Sequence, residues 1–567
     1  MTKYIVVVGG VISGVGKGVA TASMGKMLQK HGFSVTALKI DPYLNCDAGT
    51  MRPTEHGEVW VTDNGGEIDQ DLGNYKRFLG IGIPKENNIT SGQIYKTLID
   101  KERKGDFLGE TAQAIPHVPD EIKRRVKVAS KDFDIAMIEI GGTVGDYENI
   151  PFLNAMSSLE KDIGKENIIY VLVSYLPVPS HIEEMKTKPT QLAIRMLREA
   201  GIRPDLVFCR GQTTLDAIRK KKISDYSNLN PEDVISMPDV IGKGTANTLY
   251  VIPLNLDEEN LDLKVLEKLH LMPKTKPDWS EWRDLVNKIT NPKDQVKIAM
   301  VGKYLNVGKF TLKDSYYSIS QALQHAGAHL NVGVDIEWVD AKTFDENDLK
   351  EYDGILIPGG FGSSGVEGKI RAIQVARENN IPFLGLCYGM QLALIEYARN
   401  VCGLQFANTM EVNNKTPYPI IDILDSQKEV TEKGGTMRLG AYAAILNPSS
   451  KTFQLYKETG RLETDKQQVL ELKEEFRLGK LESENVILER HRHRYEVNPK
   501  FIPNLVQKGI CFSGHHIRED GTKLMEFIEL PDHKFFMATQ AHPEFKSRLS
   551  DPAPLFLGFI RACNEKN

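Results

Sequence analysis

Tyr4-Ile5-Val6-Val7-Val8-Gly9-Gly10-Val11-Ile12-Ser13-Gly14-Val15-Gly16-Lys17-Gly18 runs from an apolar stretch into a glycine-rich turn that carries a lysine. The order is that of a buried strand, a tight turn and the start of a helix, which suits phosphate binding. Backbone N–H groups at a helix N-terminus are unpaired and the helix dipole favours negative charge there. Glycines let the chain wrap close, and Lys17 reaches the outer phosphates as a point charge. The spacing departs from the usual phosphate loop. Counting back from Gly16-Lys17, the partner glycine is Gly10, one position further out, and Gly18 stands where Ser or Thr normally meets Mg²⁺. A metal would therefore need carboxylates from elsewhere. Glu139, at the end of the apolar run 135–140 and before Gly141-Gly142-Thr143-Val144-Gly145, is one candidate, and Asp71 in Asp69-Gln70-Asp71-Leu72-Gly73 is the other. The competing reading, a tight turn without a ligand, is weakened by the lysine and the strand before it.

Working outward, short runs rich in Val and Ile recur at 4–8, 34–40, 135–140, 168–174 and 206–209, each followed by an amphipathic stretch of helix length. Buried strands alternating with helices predict a mostly parallel sheet covered on both faces. The pattern fades near residue 270. Residues 271–295 hold Pro273, Pro277 and Pro292 among polar residues and read as a connector with one short helix, 279–289. It restarts with runs at 296–302, 334–339, 354–357 and 381–386, a second α/β domain over 296–567. Residues 449–489, charged and helix-prone, read as an insertion lying over its surface.

The second domain carries Gly385-Leu386-Cys387-Tyr388-Gly389 directly after its apolar run. A Gly-x-Cys-x-Gly turn between strand and helix presents a nucleophile in a sharp, exposed conformation. The helix N-terminus beside the thiol favours thiolate. A base and an orienting acid are still needed, and His542-Pro543-Glu544 supplies both. An oxyanion needs two N–H donors; the Tyr388 amide is one, and the turn Pro358-Gly359-Gly360-Phe361-Gly362 can bring that of Gly360. Taken singly, Cys387 would more often be a buried structural cysteine. His491, His493, His515 and His516 lack the companions of a zinc site and read as structural or substrate contacts.

Composition bounds the rest. The chain has 567 residues, is 41% hydrophobic and 26% charged, and carries a formal net charge of −5, so no large cationic field exists to hold nucleic acid or anionic lipid. The dense basic run Arg219-Lys220-Lys221-Lys222 is by itself a solvated helix face. The first apolar run is too short for a signal core or a membrane span, and six cysteines without Cys-x-x-Cys spacing imply reduced thiols, so a cytoplasmic protein is expected.

These stretches together resemble the CTP synthase family, enzymes that aminate UTP with glutamine. The matching residues are the phosphate loop, Lys39-Ile40-Asp41-Pro42-Tyr43, Glu55-His56-Gly57-Glu58-Val59, Ile138-Glu139-Ile140-Gly141-Gly142-Thr143-Val144-Gly145-Asp146, Lys186-Thr187-Lys188-Pro189-Thr190-Gln191, the cysteine turn, His491-Arg492-His493-Arg494-Tyr495-Glu496 and His542-Pro543-Glu544-Phe545. The resemblance implies an α/β fold, with a P-loop-type mostly parallel sheet in a synthetase domain, 1–270, and a class I glutaminase domain after the connector. It implies ATP on Gly14, Val15, Gly16, Lys17, Gly18, Val19, Asp71, Asp239 and Val240, with Lys17 and Lys39 catalytic and Mg²⁺ on Asp71 and Glu139. UTP, or the product CTP, would meet Ser13, Asp146, Tyr147, Glu148, Lys186, Thr187, Lys188, Pro189, Thr190, Gln191 and Lys222. Glutamine would meet Gly360, Tyr388, Gly389, Met390, Gln391, Glu411 and Arg494, with Cys387, His542 and Glu544 catalytic, while Pro53, His56 and Val59 would gate an ammonia passage. A homotetramer, filaments and allosteric GTP are also implied.

Two residues depart from that pattern. Ser364 stands where an arginine linked to GTP activation is usual, which puts GTP control in question, although a lid-like segment, 101–108, is present. Tyr388 stands where Leu is common and is expected to act through its backbone amide. Rival readings are an ATP-dependent amidotransferase acting on a carboxylate, an assembly protein with weak activity, and, for the first half alone, a ParA-like ATPase. Intact Cys387, Lys17 and Glu139 oppose the inactive scaffold.

Overall fold

The computed structural model describes residues 1–10, 12–181, 184–240, 248–302, 315–423, 437–472 and 474–565; Val11 of the phosphate loop and Lys473 of the charged stretch lie outside them. The chain divides into two compact units, the first taking residues 1–48 and the described residues from 68 to 286, the second residues 49–67 and those from 287 onward.

The first unit is built on seven strands: β1 (Lys3–Gly9), β2 (Val35–Asp41), β3 (Asn88–Thr90), β4 (Ile135–Ile140), β5 (Ile168–Tyr175), β6 (Leu206–Gly211) and β7 (Val234–Pro238). They form one sheet in the order β3-β2-β4-β1-β5-β6-β7. Every pairing in it is parallel. Helices on both faces exclude water from the sheet, and for this reason its strands are continuous apolar runs instead of alternating ones. β1 lies in the middle with β4 on one side and β5 on the other. A ligand site is expected beyond the carboxyl ends of such central strands. The glycine loop leaves β1 there, and Glu139 lies near the end of β4.

The second unit contains β8 (Asp294–Gly302), β9 (Val332–Asp340), β10 (Gly354–Ile357), β11 (Phe383–Leu386), β12 (Arg438–Leu446), β13 (Val486–His493), β14 (Cys511–Ile517), β15 (Lys523–Glu529) and β16 (Phe536–Thr539). The sheet order is β9-β8-β10-β11-β16-β15-β14-β12-β13. The first five strands pair in parallel. From β16 onward the pairings are antiparallel. Register sets Ile357 beside Gly385 and Leu386 beside Thr539, so the turns after β10, β11 and β16 converge at one sheet end.

The structure differs from the expected organisation in three places, two of them in the division itself. Residues 49–67 pack inside the second unit, because fully buried Trp60 lies under the Arg490 guanidinium and against Phe545. The expected connector begins instead as core of the first unit: Trp282 is buried against Phe78 and Tyr250, and its indole donates to the Tyr250 carbonyl at 2.8 Å. The stretch 449–489 is not simply laid on the surface. Its helices Lys451–Glu458 and Arg461–Glu471 bury Phe453, Leu455, Tyr456 and Leu462 in the core, and its last residues enter β13. Buried Asp465 accepts from Lys546 at 2.9 Å, and Tyr456 donates to Glu489 at 2.7 Å. Charge density hid that apolar face.

Candidate functional site

In the first unit Gly14 (φ 70°) and Gly16 (φ 92°) hold left-handed conformations that strain any residue with a Cβ. Gly16 starts the helix Lys17–Lys30, whose first N–H groups have no intrahelical acceptor. Register sets both Val7 and Lys39 beside Glu139, so Lys39 and Glu139 share one face. Lys39 Nζ contacts Glu139 Oε1 at 3.1 Å and Asp69 Oδ1 at 3.8 Å, and donates to Asp71. A Cβ on Gly18 would meet Asp71 Oδ1 at 2.7 Å and Glu139 Oε2 at 3.4 Å, so both carboxylates converge on the loop. Lys17 is buried and donates to the Gly142 carbonyl at 2.7 Å.

The electrostatics are those of a crowded buried cluster. Burial disfavours the Lys39 ammonium, but Asp71 and Glu139 outweigh it and hold Lys39 well above the ordinary lysine range. Burial lowers Lys17, with Lys39 adding repulsion against the pull of Glu139. Burial also raises Asp69, to about 7, against the pull of Lys39. Asp71 is drawn below its usual value by Lys39 despite burial, whereas burial leaves Glu139 raised. Two hard-oxygen carboxylates beside a phosphate loop fit Mg²⁺, which sits on one or two carboxylates plus phosphates. No cluster of three or more metal-ligating side chains occurs among the described residues.

Other nucleotide candidates are placed more loosely. Val15 is buried, Val19 and Val240 half-buried, and Ser13 exposed. Asp146 turns back on its own loop, accepting from the Thr143 amide at 2.5 Å and the Thr143 hydroxyl at 3.0 Å. Tyr147, Glu148, Lys188 and Lys222 are exposed, whereas Thr187, Thr190 and Gln191 are buried, with Pro189 in the first turn of the helix Lys188–Glu199 and Lys186 paired to Glu184. Arg210 was missed in the sequence, although a charge closing an apolar strand is a signal. It donates to the Gly14 carbonyl at 3.2 Å and to Asp239 at 2.5 Å, bracing the loop.

In the second unit Cys387 has φ 51° and ψ −99° and caps the helix Tyr388–Asn400. Such a non-glycine conformation costs on the order of 1–3 kcal/mol and persists only where its surroundings enforce it. Here a Cβ on Gly389 would meet the Ile357 carbonyl at 2.3 Å, and one on Gly385 would meet Gly389 and Ala538 at 2.9 Å. Glycine is therefore required on both sides of Cys387. A Cβ on Gly359 would meet His542 Cε1 at 2.9 Å and Cys387 Cβ at 3.7 Å, which brings the glycine turn, Cys387 and His542 together. His542 Nδ1 bonds Glu544 Oε1 at 2.7 Å, and its ring stacks on Phe545. Burial opposes a charged ring, but Glu544 and then the Cys387 sulfur push His542 up to about 10.

A cavity of about 570 Å³ opens over Cys387, lined among others by Pro53, Val59, Gly360, Glu411, Arg494 and His542. His56 is exposed and Val59 buried. Glu411 accepts from the Gly362 amide at 2.7 Å, and the Tyr388 hydroxyl donates to the Gly362 carbonyl at 2.9 Å. Tyr388 therefore braces the glycine turn through its side chain as well as offering a backbone amide. Gly389, Met390 and Gln391 are buried in the first turn of the helix. His491, His493 and His516 are buried and structural: His493 bonds Glu496 at 2.7 Å and His516 the Ala443 carbonyl at 2.7 Å.

The CTP synthase N-terminus profile matches residues 3–271, and the class I glutamine amidotransferase profile matches residues 311–562. The CTP synthase of Methanococcus maripaludis is 48% identical over 100% of both chains, and that of Methanocaldococcus jannaschii is 47% identical over 99% of this chain and 98% of its own. A solved glutaminase domain of the Trypanosoma brucei enzyme, with bound acivicin, is 36% identical over 48% of this chain and 95% of its own, with a TM-score of 0.40. No helix among the described residues is long and apolar enough to cross a membrane. The chain belongs to the CTP synthase family, glutamine-hydrolysing ligases with a class I amidotransferase domain.

Proposed function

We propose that this chain makes CTP by ATP-dependent amination of UTP at C4, through a 4-phosphorylated UTP, using ammonia released from glutamine. The observation that carries the reading is the presence, on one chain of this family, of a carboxylate-flanked glycine loop and a strained cysteine beside a histidine held by a carboxylate. The uracil O4 is a poor leaving group, and phosphorylation turns it into phosphate, which departs when ammonia attacks C4. Phosphoryl transfer needs chiefly positioning and charge stabilisation. Lys17 and Lys39 supply cations, and the loop amides orient the phosphates. Asp71 and Glu139 would hold Mg²⁺, which neutralises triphosphate charge when bound.

At the other site the Cys387 sulfur attacks the glutamine carboxamide carbon. The Tyr388 and Gly360 amides take the oxyanion, and His542 gives its proton to the departing ammonia. Water then cleaves the thioester and returns the sulfur. Arg494 and Glu411, charged walls of the cavity, suit the carboxylate and ammonium of the substrate. That Pro53 and Val59 line the same cavity supports reading them as walls of an ammonia passage. Asp239, Val240 and the UTP-site residues from Ser13 to Lys222 enter through family resemblance, as do the homotetramer, filaments, GTP control and cytoplasmic location.

The test is wild-type turnover of UTP, ATP, Mg²⁺ and amide-¹⁵N glutamine. CTP carrying ¹⁵N at N4 is expected, with ¹⁸O from [4-¹⁸O]UTP recovered in inorganic phosphate. CTP whose formation leaves ¹⁸O in water overturns the phosphorylated intermediate, and absence of CTP overturns the UTP assignment.

A further inference from the structure

β16 runs parallel to β11 with Leu386 beside Thr539, and the Cys387 amide donates to the Thr539 carbonyl at 2.7 Å. Extending the register by one residue sets Gln540 beside the nucleophile. Gln540 is fully buried, and its Nε2 lies 3.5 Å from Cys387 Sγ. Its amide is not at liberty to turn over. Gln391, itself 3% exposed, donates to Gln540 Oε1 at 3.1 Å and is directed there by a second bond to the Tyr495 carbonyl at 3.1 Å. With its oxygen committed to a donor, Gln540 has only N–H to present to the sulfur.

We infer that Gln540 is a catalytic residue of glutamine hydrolysis, donating a hydrogen bond to the Cys387 thiolate and holding the sulfur in its attacking position. This inference rests on the glutaminase reading of the site. His542 carries the proton taken from the thiol, and Gln540 stabilises the negative charge left on sulfur without exchanging a proton. When the sulfur–carbon bond forms and ammonia leaves with the His542 proton, that charge disappears. When water cleaves the thioester, the sulfur recovers the electron pair and meets the same N–H again. Hydrogen bonds to ionised partners are about twice as strong as neutral ones, so the contact favours the anionic states selectively. The charged groups lining the cavity over Cys387 are His542, Glu544, Glu58, Glu411, Arg492 and Arg494, whereas fully buried Gln540 meets the sulfur as a neutral donor.

Gln540→Met keeps the side chain's length and removes the N–H. Its test is the rate of Cys387 alkylation by iodoacetamide across pH, beside steady-state glutamine hydrolysis, with circular dichroism and thermal melting to check the fold. Alkylation at pH 7 is expected to fall about tenfold, the size of one charge-assisted hydrogen bond. kcat for hydrolysis falls by a similar factor while KM stays near wild type. An unchanged alkylation profile, or a rise in KM alone, overturns the inference and leaves Gln540 a packing residue. Should Q540M not fold, Gln391→Met, which releases the Gln540 amide, decides: a loss of about threefold at pH 7 is expected, and an unchanged profile is contrary. Absence of glutamine hydrolysis by wild type would instead overturn the glutaminase reading, which separates the two failures.

Discussion

The phosphate loop and the cysteine turn are built alike, each a strand, a turn containing a left-handed residue and a helix N-terminus. At the loop the left-handed positions fall to Gly14 and Gly16; at the turn the equivalent strain falls on Cys387 itself. At the loop Lys39 pairs with both Asp71 and Glu139. The cysteine site closes on itself: His542, Glu544 and Gln540 all come from one short stretch beside the nucleophile.

Substitutions on either side sharpen this contrast. Lys17→Met should have the largest effect, lowering CTP synthesis about 10²–10³-fold with glutamine or ammonia alike, because it removes charge stabilisation from phosphoryl transfer. Equal loss with both nitrogen sources in a product assay checks it. Glu544→Gln should reduce glutamine hydrolysis about 10²-fold. Its sign in pH follows from Glu544 holding His542 up to about 10: the protonated ring that releases ammonia persists in wild type until pH nears that value. In the variant the alkaline limb moves down toward the ordinary imidazole range, about 6.5. A limb that stays in place contradicts the pairing. Arg210→Gln should raise the KM for ATP about five- to tenfold with kcat little altered, since it frees the Gly14 carbonyl and Asp239. Smallest is Tyr388→Phe, which removes the bond to Gly362 and should slow glutamine hydrolysis about two- to fivefold.

Much of this was legible in the residues. Apolar runs such as Tyr4–Val8 and Ile135–Ile140 are strands because parallel sheets are buried on both faces, and Gly16-Lys17 and Gly385-x-Cys387-x-Gly389 mark turns that backbone sterics require. The allegiance of residues 49–67 was not legible, since it depends on Arg490 stacking on Trp60 and pairing with Asp63 across more than four hundred positions. The buried role of Asp465 and Tyr456 was hidden by the charges around them. Gln540 lay in plain view two residues before His542, but only strand register reveals that its amide meets the sulfur. Polar residues gain their meaning from partners distant in sequence, and periodicity does not name those partners.

The central claim is that two separate chemistries share this chain and are joined by ammonia. Its most direct test is CTP formation by Cys387→Ala supplied in turn with glutamine and with ammonium salt. The account predicts loss of the glutamine reaction with the ammonia reaction retained near the wild-type rate. Loss of both, with the fold intact, would contradict the separation of the two sites, and retention of both would remove Cys387 from the chemistry.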